Sequence, residues 1–223
     1  MPRETFDQEL AELGALLNEE ARLCQRSLDG ALEALIAPES NAADTVVAGD
    51  DGVDRVYLQV EHGVESLLAR QSPVAVDLRF VLAVIHVNQN LERIGDQCVN
   101  IAKLLPITGN EPPVDDRILE MVERMGALAR SEVSQSKQAF LLRDADLAED
   151  LVRQDEQINQ LNKECFRRAV EIGNNSDVRE WAMTMMLISR AIERIGDNAV
   201  DIGEQVAFVV TGLFREFSDA SHT

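Results

Sequence analysis

One five-residue word occurs twice and constrains the fold more than any other feature. Glu-Arg-Ile-Gly-Asp spans Glu92 to Asp96 and returns at Glu193 to Asp197, a spacing of 193 − 92 = 101 residues. The identity is the visible part of a longer register. Phe80, Val84, Val87, Leu91, Ile94, Cys98, Ile101 and Leu105 form an apolar stripe with alternating four- and three-residue steps. Trp181, Met185, Ile188, Ile192, Ile195, Ala199, Ile202 and Val206 repeat it 101 residues later, position by position. Steps of four and three are the spacing of a helix that buries one seam at shallow crossing angles. A whole-helix repeat of this kind points to a duplicated unit, because each copy must bury the same face.

The rest of the chain fits that duplication. A first helix is expected over about Thr5 to Ile36, on a stripe of Leu10, Leu13, Leu17, Cys24, Leu28, Leu32 and Leu35. A second covers about Ala42 to Ala69, with Ser40 or Asn41 as its cap; Gly49 and Gly52 allow a kink near Asp50. Ser72-Pro73 reads as a cap followed by proline at the first position of a third helix, about Pro73 to Leu105. Pro106 to Asp116 holds three of the six prolines and reads as a linker. Helices over Leu119 to Phe140, Asp146 to Ile172 and from Ser176 onward repeat the plan, with Met125 to Leu128 echoing Leu13 to Leu16. Helices of ~30 residues are ~45 Å long, and three joined by short turns close into a bundle. The expected fold is all-α: two tandem three-helix bundles, at 1–106 and 115–223, joined by a linker at 107–114, with a disordered tail after Phe217.

Composition narrows the function. Forty Asp and Glu against 21 Lys and Arg leave a net charge of −19. That field repels nucleic acid and anionic lipid and attracts cations or basic protein surfaces. Cys24, Cys98 and Cys165 are widely spaced among apolar helical positions, which suits buried small hydrophobes rather than a disulfide frame or zinc knuckle. No apolar signal core opens the chain and no run of ~20 apolar residues occurs, so a cytoplasmic setting is expected.

The repeated word also carries chemistry. On a helical wheel Glu92, Asp96 and Asn100 fall opposite the apolar stripe, as do Glu193, Asp197 and Asp201. Carboxylates four residues apart repel on a bare helix, and a bound cation reverses that sign. Hard oxygen ligands suit magnesium, manganese, calcium or iron, and carboxylates also hold zinc. Asp50 with Asp54, and Asp155 with Asn159, supply a second wall from the neighbouring helices. Against this stands a plain ion-pair ladder, since Arg93 and Arg194 sit three residues before Asp96 and Asp197. Gly95 and Gly196 mark close approach of another helix.

Taken together these residues resemble the PhoU family of phosphate-uptake regulators. The carriers are Leu91 to Asp96 with Asn100-Ile101-Ala102, Asp77-Leu78-Arg79 after Ser72 to Ala75, Ile192 to Asp197, and Val210-Thr211-Gly212. The resemblance implies two three-helix bundles and surface metal sites holding iron or zinc. It assigns those sites to Glu92, Asp96, Glu193 and Asp197, with Asp50, Asp54 and Asp155 as upstream partners and Asn100 and Asp201 as extensions. Asn159 departs from the all-acid pattern, so the two sites are expected to differ in occupancy or metal. The resemblance further implies a non-enzymatic negative regulator of the phosphate-starvation response. Such a protein couples the ATP-binding subunit of the phosphate ABC transporter to a sensor histidine kinase, works as a homodimer, and meets the membrane only through those complexes. A carboxylate-bridged metalloenzyme and a metal-free helical scaffold are the alternatives.

Overall fold

A computed structural model describes residues 3–37, 40–108, 114–172, 174–213 and 216–217. Those residues form six α-helices and one 3-10 turn, and no strand occurs among them. The helices are α1 (Arg3–Ile36), α2 (Ala42–Arg70), α3 (Ala75–Leu104), α4 (Asp116–Leu142), α5 (Ala145–Ile172) and α6 (Ser176–Thr211), with the 3-10 turn at Leu105–Thr108. The expected tail after Phe217 lies outside the described residues.

Each half is a three-helix bundle in which every helix packs on the other two, and the halves join where α3 meets α6 and α1 meets α4. The duplicated stripes are the reason. Val84, Val87, Leu91, Ile94, Cys98 and Ile101 on α3, and all eight stripe residues of α6, are buried. They belong to one continuous apolar cluster that crosses from one half into the other. Arg79 near the start of α3 lies against Gly212 just past the end of α6. Arg93 in mid-α3 acts on Asp201 of α6. Those two pairings require α3 and α6 to run antiparallel. All three cysteines are buried and free.

One local boundary changes. Helix α3 begins at Ala75, not Pro73: Val74 is extended, and Ala75 takes a left-handed φ of 50°. Helix α2 runs unbroken through Gly49 and Gly52, and its stripe of Val46, Val53, Val56, Val60 and Val64 is buried. Of the two cap candidates for α2, Ser40 Oγ accepts from the Ala42 amide at 3.4 Å, and Asn41 makes no side-chain cap bond. The stronger caps lie in the second half. The Asp115 carboxylate accepts from the Ile118 amide at the start of α4, and Asp144 Oδ1 accepts from the Asp146 and Leu147 amides at the start of α5.

Candidate metal centres

Two carboxylate clusters sit at equivalent places in the two bundles, and each has a buried member from the first helix of its half. In the first half that member is Glu20 on α1. It is fully buried, and neither carboxylate oxygen finds a hydrogen bond. Burial, then the charges of Glu92 and Glu61, push its carboxyl up to about 9. Glu92 of α3 and Glu61 of α2 act on it directly, and Asp96, Asp54 and Asp50 act in turn on Glu92. The carboxyl of Asp50 is raised by burial, then by Asp54 and Asp96. Glu92 is raised by burial, then by Asp96 and Asp54. The Tyr57 hydroxyl is raised by burial and by Glu61, Glu92 and Glu20. Buried Asn88 donates from Nδ2 to the Tyr57 carbonyl at 3.2 Å and to Glu61 Oε1 at 3.1 Å, fixing one edge.

In the second half the buried member is Glu132 on α4, 112 residues after Glu20. It too is fully buried, with both oxygens lacking a hydrogen bond. Burial, then Asp155 and Asp197, push it up to about 9. Gly196 makes room for the cluster: a Cβ there would lie 2.6 Å from Asp155 Oδ1 and 2.9 Å from Glu132 Oε2. Two carboxylates therefore lean onto the α6 backbone where only glycine leaves space. Gly95 has a different neighbour, since a Cβ would lie 3.3 Å from Val53 Cγ1. Asn159 Nδ2 donates to Asp155 Oδ2 at 2.7 Å. Ser189 Oγ donates to Asn162 Oδ1 at 3.0 Å. Glu193 is raised by burial and Asp197, and Arg190 acts the other way.

The chain matches the model of the PhoU domain over residues 17–105 and again over 122–206. The chain belongs to the PhoU family. Both family repeats contain one of the clusters. The chain is 28% identical over 221 residues to the phosphate-specific transport system accessory protein PhoU homolog of Clostridium acetobutylicum, covering 98% of this chain and 100% of that one. It is 30% identical over 214 residues to PhoU homolog 1 of Thermotoga maritima, covering 95% and 92%. Among solved structures, the phosphate transport system regulatory protein PhoU of Streptococcus pneumoniae superposes with a TM-score of 0.87 at 26% identity, covering 95% of this chain and 99% of that one. PhoU of Pseudomonas aeruginosa gives 0.87 at 27% identity, covering 93% and 100%.

The nine residues expected from the sequence separate into two groups. Asp50, Asp54, Glu92 and Asp96 share the first cluster, and Asp155, Glu193 and Asp197 the second. Asn100 and Asp201 are exposed and stand apart. Asn100 has no hydrogen bond to the cluster, and Asp201 lies within reach of Arg93 on α3. The outward-facing track also needs correction. Asp96 and Asp197 are exposed, but Glu92 is half-buried and Glu193 is only 7% exposed. Helix α6 touches α3, α4 and α5, so the side away from its stripe is partly covered.

Glu20, Glu132, Glu61 and Arg190 were not anticipated. Glu20 and Glu132 had a signal. The α1 stripe skips from Leu17 to Cys24, and Glu20 fills the missing core position. On α4, Glu132 likewise falls between Ala129 and Ser136. A glutamate standing in an apolar seam twice, at matching places, is a buried carboxylate with a purpose.

Among the described residues no three His, Cys, Asp or Glu side chains converge closely enough to hold a metal ion. Like charges without a counter-ion between them stand apart. The donor set nevertheless fits a hard cation. Both oxygens of Glu20 and Glu132, and Oε2 of Glu193, are buried without hydrogen bonds. A buried carboxylate with no donor is costly, and it either takes up a proton or ligates a cation. No helix among the described residues is long and apolar enough to cross a membrane.

Proposed function

We propose that the protein is a non-enzymatic, metal-binding negative regulator of the phosphate-starvation response. In this reading it is cytoplasmic and homodimeric. It binds the ATP-binding subunit of the phosphate ABC transporter and a phosphate-responsive sensor histidine kinase, and so reaches the membrane only through them. Family membership and the names of its relatives support the phosphate-transport setting. The observation that carries the metal reading is the pair of fully buried glutamates, Glu20 and Glu132, whose oxygens lack donors at equivalent places in both repeats.

Glu20, Asp50, Asp54, Glu92 and Asp96 would hold the first cation, and Glu132, Asp155, Glu193 and Asp197 the second. Iron or zinc follows from the family resemblance, and the all-oxygen donor set equally suits magnesium or manganese. A bound cation would offset the mutual repulsion of these carboxylates. The residues themselves do the positioning. Asn88 holds Glu61, Asn159 holds Asp155, and Gly196 admits the Glu132 and Asp155 carboxylates.

Deletion of the gene should leave the starvation response switched on in high phosphate, and the chain should co-purify with the transporter ATPase and the kinase. Normal repression in the deletion strain would overturn the regulatory reading. The metal-free scaffold reading has one observation in its favour, the wide spacing of the carboxylates. Elemental analysis of untagged protein separates the two readings.

A further inference from the structure

The two clusters are built on one plan but do not carry the same charge, and the difference centres on one side chain. Translating α3 onto α6 by 101 residues places Gln89 on Arg190 and Glu92 on Glu193. Translating α2 onto α5 by 105 residues places Asp50 on Asp155, Asp54 on Asn159 and Glu61 on Phe166. The first cluster therefore has six carboxylates, from Glu20, Asp50, Asp54, Glu61, Glu92 and Asp96. The second has four, from Glu132, Asp155, Glu193 and Asp197.

The second cluster also has a cation of its own. Arg190 Nη1 donates to Glu193 Oε1, in an ion pair whose arginine is 52% exposed and whose glutamate is 9% exposed. The remaining oxygen, Glu193 Oε2, is buried and has no hydrogen bond. In the first cluster the corresponding Glu92 has no ion pair. The basic groups near it, Arg93 on Glu92 and Lys103 on Asp50, act only through space. Gln89 carries no charge and is exposed.

A guanidinium bound to a ligand carboxylate competes with a metal for that carboxylate's charge. Affinity of hard-cation sites rises with the number of charged ligands that the cation meets. We propose that Arg190 is a tethered cation that latches the second carboxylate site, so that divalent cations fill the first site before the second. This rests on the reading of both clusters as cation sites. While Arg190 holds Oε1, a cation at the second site meets a partly neutralised carboxylate through Oε2 alone, and full charge returns when Arg190 releases Oε1 and swings into solvent, which its exposure permits. No backbone movement is needed, because the side chain leaves from an open face. The second site then responds only at cation levels that already saturate the first. A graded, two-threshold response would follow from one chain with a duplicated fold.

The test is a titration of chelator-stripped full-length protein with manganese(II) alone, followed by calorimetry and by the paramagnetic signal of free manganese. The wild type should bind in two classes whose affinities differ by at least tenfold. Glu92→Gln should remove the tight class and Glu193→Gln the weak one. Arg190→Gln, which copies the first repeat, should tighten the weak class on the order of tenfold and leave the tight class unchanged. Gln89→Arg transfers the latch to an exposed position in the first half and should weaken the tight class by a comparable factor. Both positions are solvent-facing, and circular dichroism confirms that the variants are folded. Equal affinities in the wild type would overturn the latch, as would Arg190→Gln and Gln89→Arg variants with wild-type binding curves. Each of those outcomes leaves the metal reading standing. Absence of any manganese binding by the wild type would overturn the metal reading and the latch with it.

Discussion

Glu20 shows what one residue can hold in this molecule. It occupies a core position of α1 where the stripe otherwise places Leu, Ala or Cys, and it has no donor for either oxygen. Without a cation, folding near neutral pH must bring a proton to it, because its carboxyl is pushed up to about 9 from an ordinary value near 4.5. Glu20→Gln keeps the shape and removes that requirement. In chelator at pH 8 the variant should be more stable than the wild type by roughly 1–3 kcal/mol, read from urea unfolding. With saturating divalent metal the order should reverse, since the variant loses a charged ligand. A variant less stable than the wild type in chelator would mean that Glu20 has a partner this account has missed. The sequence made the carboxylates of the repeated word legible, because identical residues at a fixed spacing stand out. It hid Glu20 and Glu132 from a search for acidic pairs, because each is alone on its helix face. Only the gap in an apolar stripe reveals them.

At the scale of the element, the caps differ between the halves. Asp115 closes α4 by accepting from the Ile118 amide at 3.2 Å, and Arg168 of α5 grips the same carboxylate with Nε at 3.2 Å and Nη2 at 2.6 Å. That arginine, then the amides of Ile118 and Arg117, hold the Asp115 carboxyl below its ordinary value, with burial opposing them. Asp115→Ala should cost about 1–2 kcal/mol at pH 7, the usual range for a lost cap, measured by thermal or urea unfolding. The sign with pH follows from the depressed value. Stability from this group is complete above the unfolded value near 3.8 and is lost as pH falls through the folded one. The gap between Asp115→Ala and wild type should therefore close below about pH 4. A gap that persists there would assign the effect to packing instead. Helix identity and length were legible throughout, because the stripes hold their period for about seven turns. The start of α3 was not. Ser72-Pro73 has the composition of a cap, yet the extended Val74 and the left-handed Ala75 move the start two residues on.

For the whole molecule the decisive feature is the α3–α6 seam. The sequence predicted two bundles but not how they meet. The stripe of each helix is wide enough to serve its own bundle, and periodicity does not reveal that the same helix also faces the other half. The structure places Ile94, Ile101, Ile192, Ile195 and Ile202 in one continuous core. The halves should therefore unfold together, with calorimetric and van't Hoff enthalpies in agreement and amide protection lost in α1–α3 and α4–α6 at the same denaturant concentration. Ile195→Ala, in a fully buried position, should cost about 2–5 kcal/mol and lower the single transition as a whole. Survival of protection in residues 3–104 after the rest has melted would show two independent units instead. The same seam puts Arg93 of the first half beside Asp201 of the second, and so links the surroundings of the two acidic clusters. The central claim is that those clusters are cation sites. Anomalous diffraction from crystals of untagged protein soaked in manganese(II) tests it most directly. Manganese peaks are expected within the cluster of Glu20 and Glu92 in the first half and within that of Glu132 and Glu193 in the second, with the first peak filling at lower metal concentration. Anomalous maps without a peak at either cluster, at saturating manganese, would contradict it.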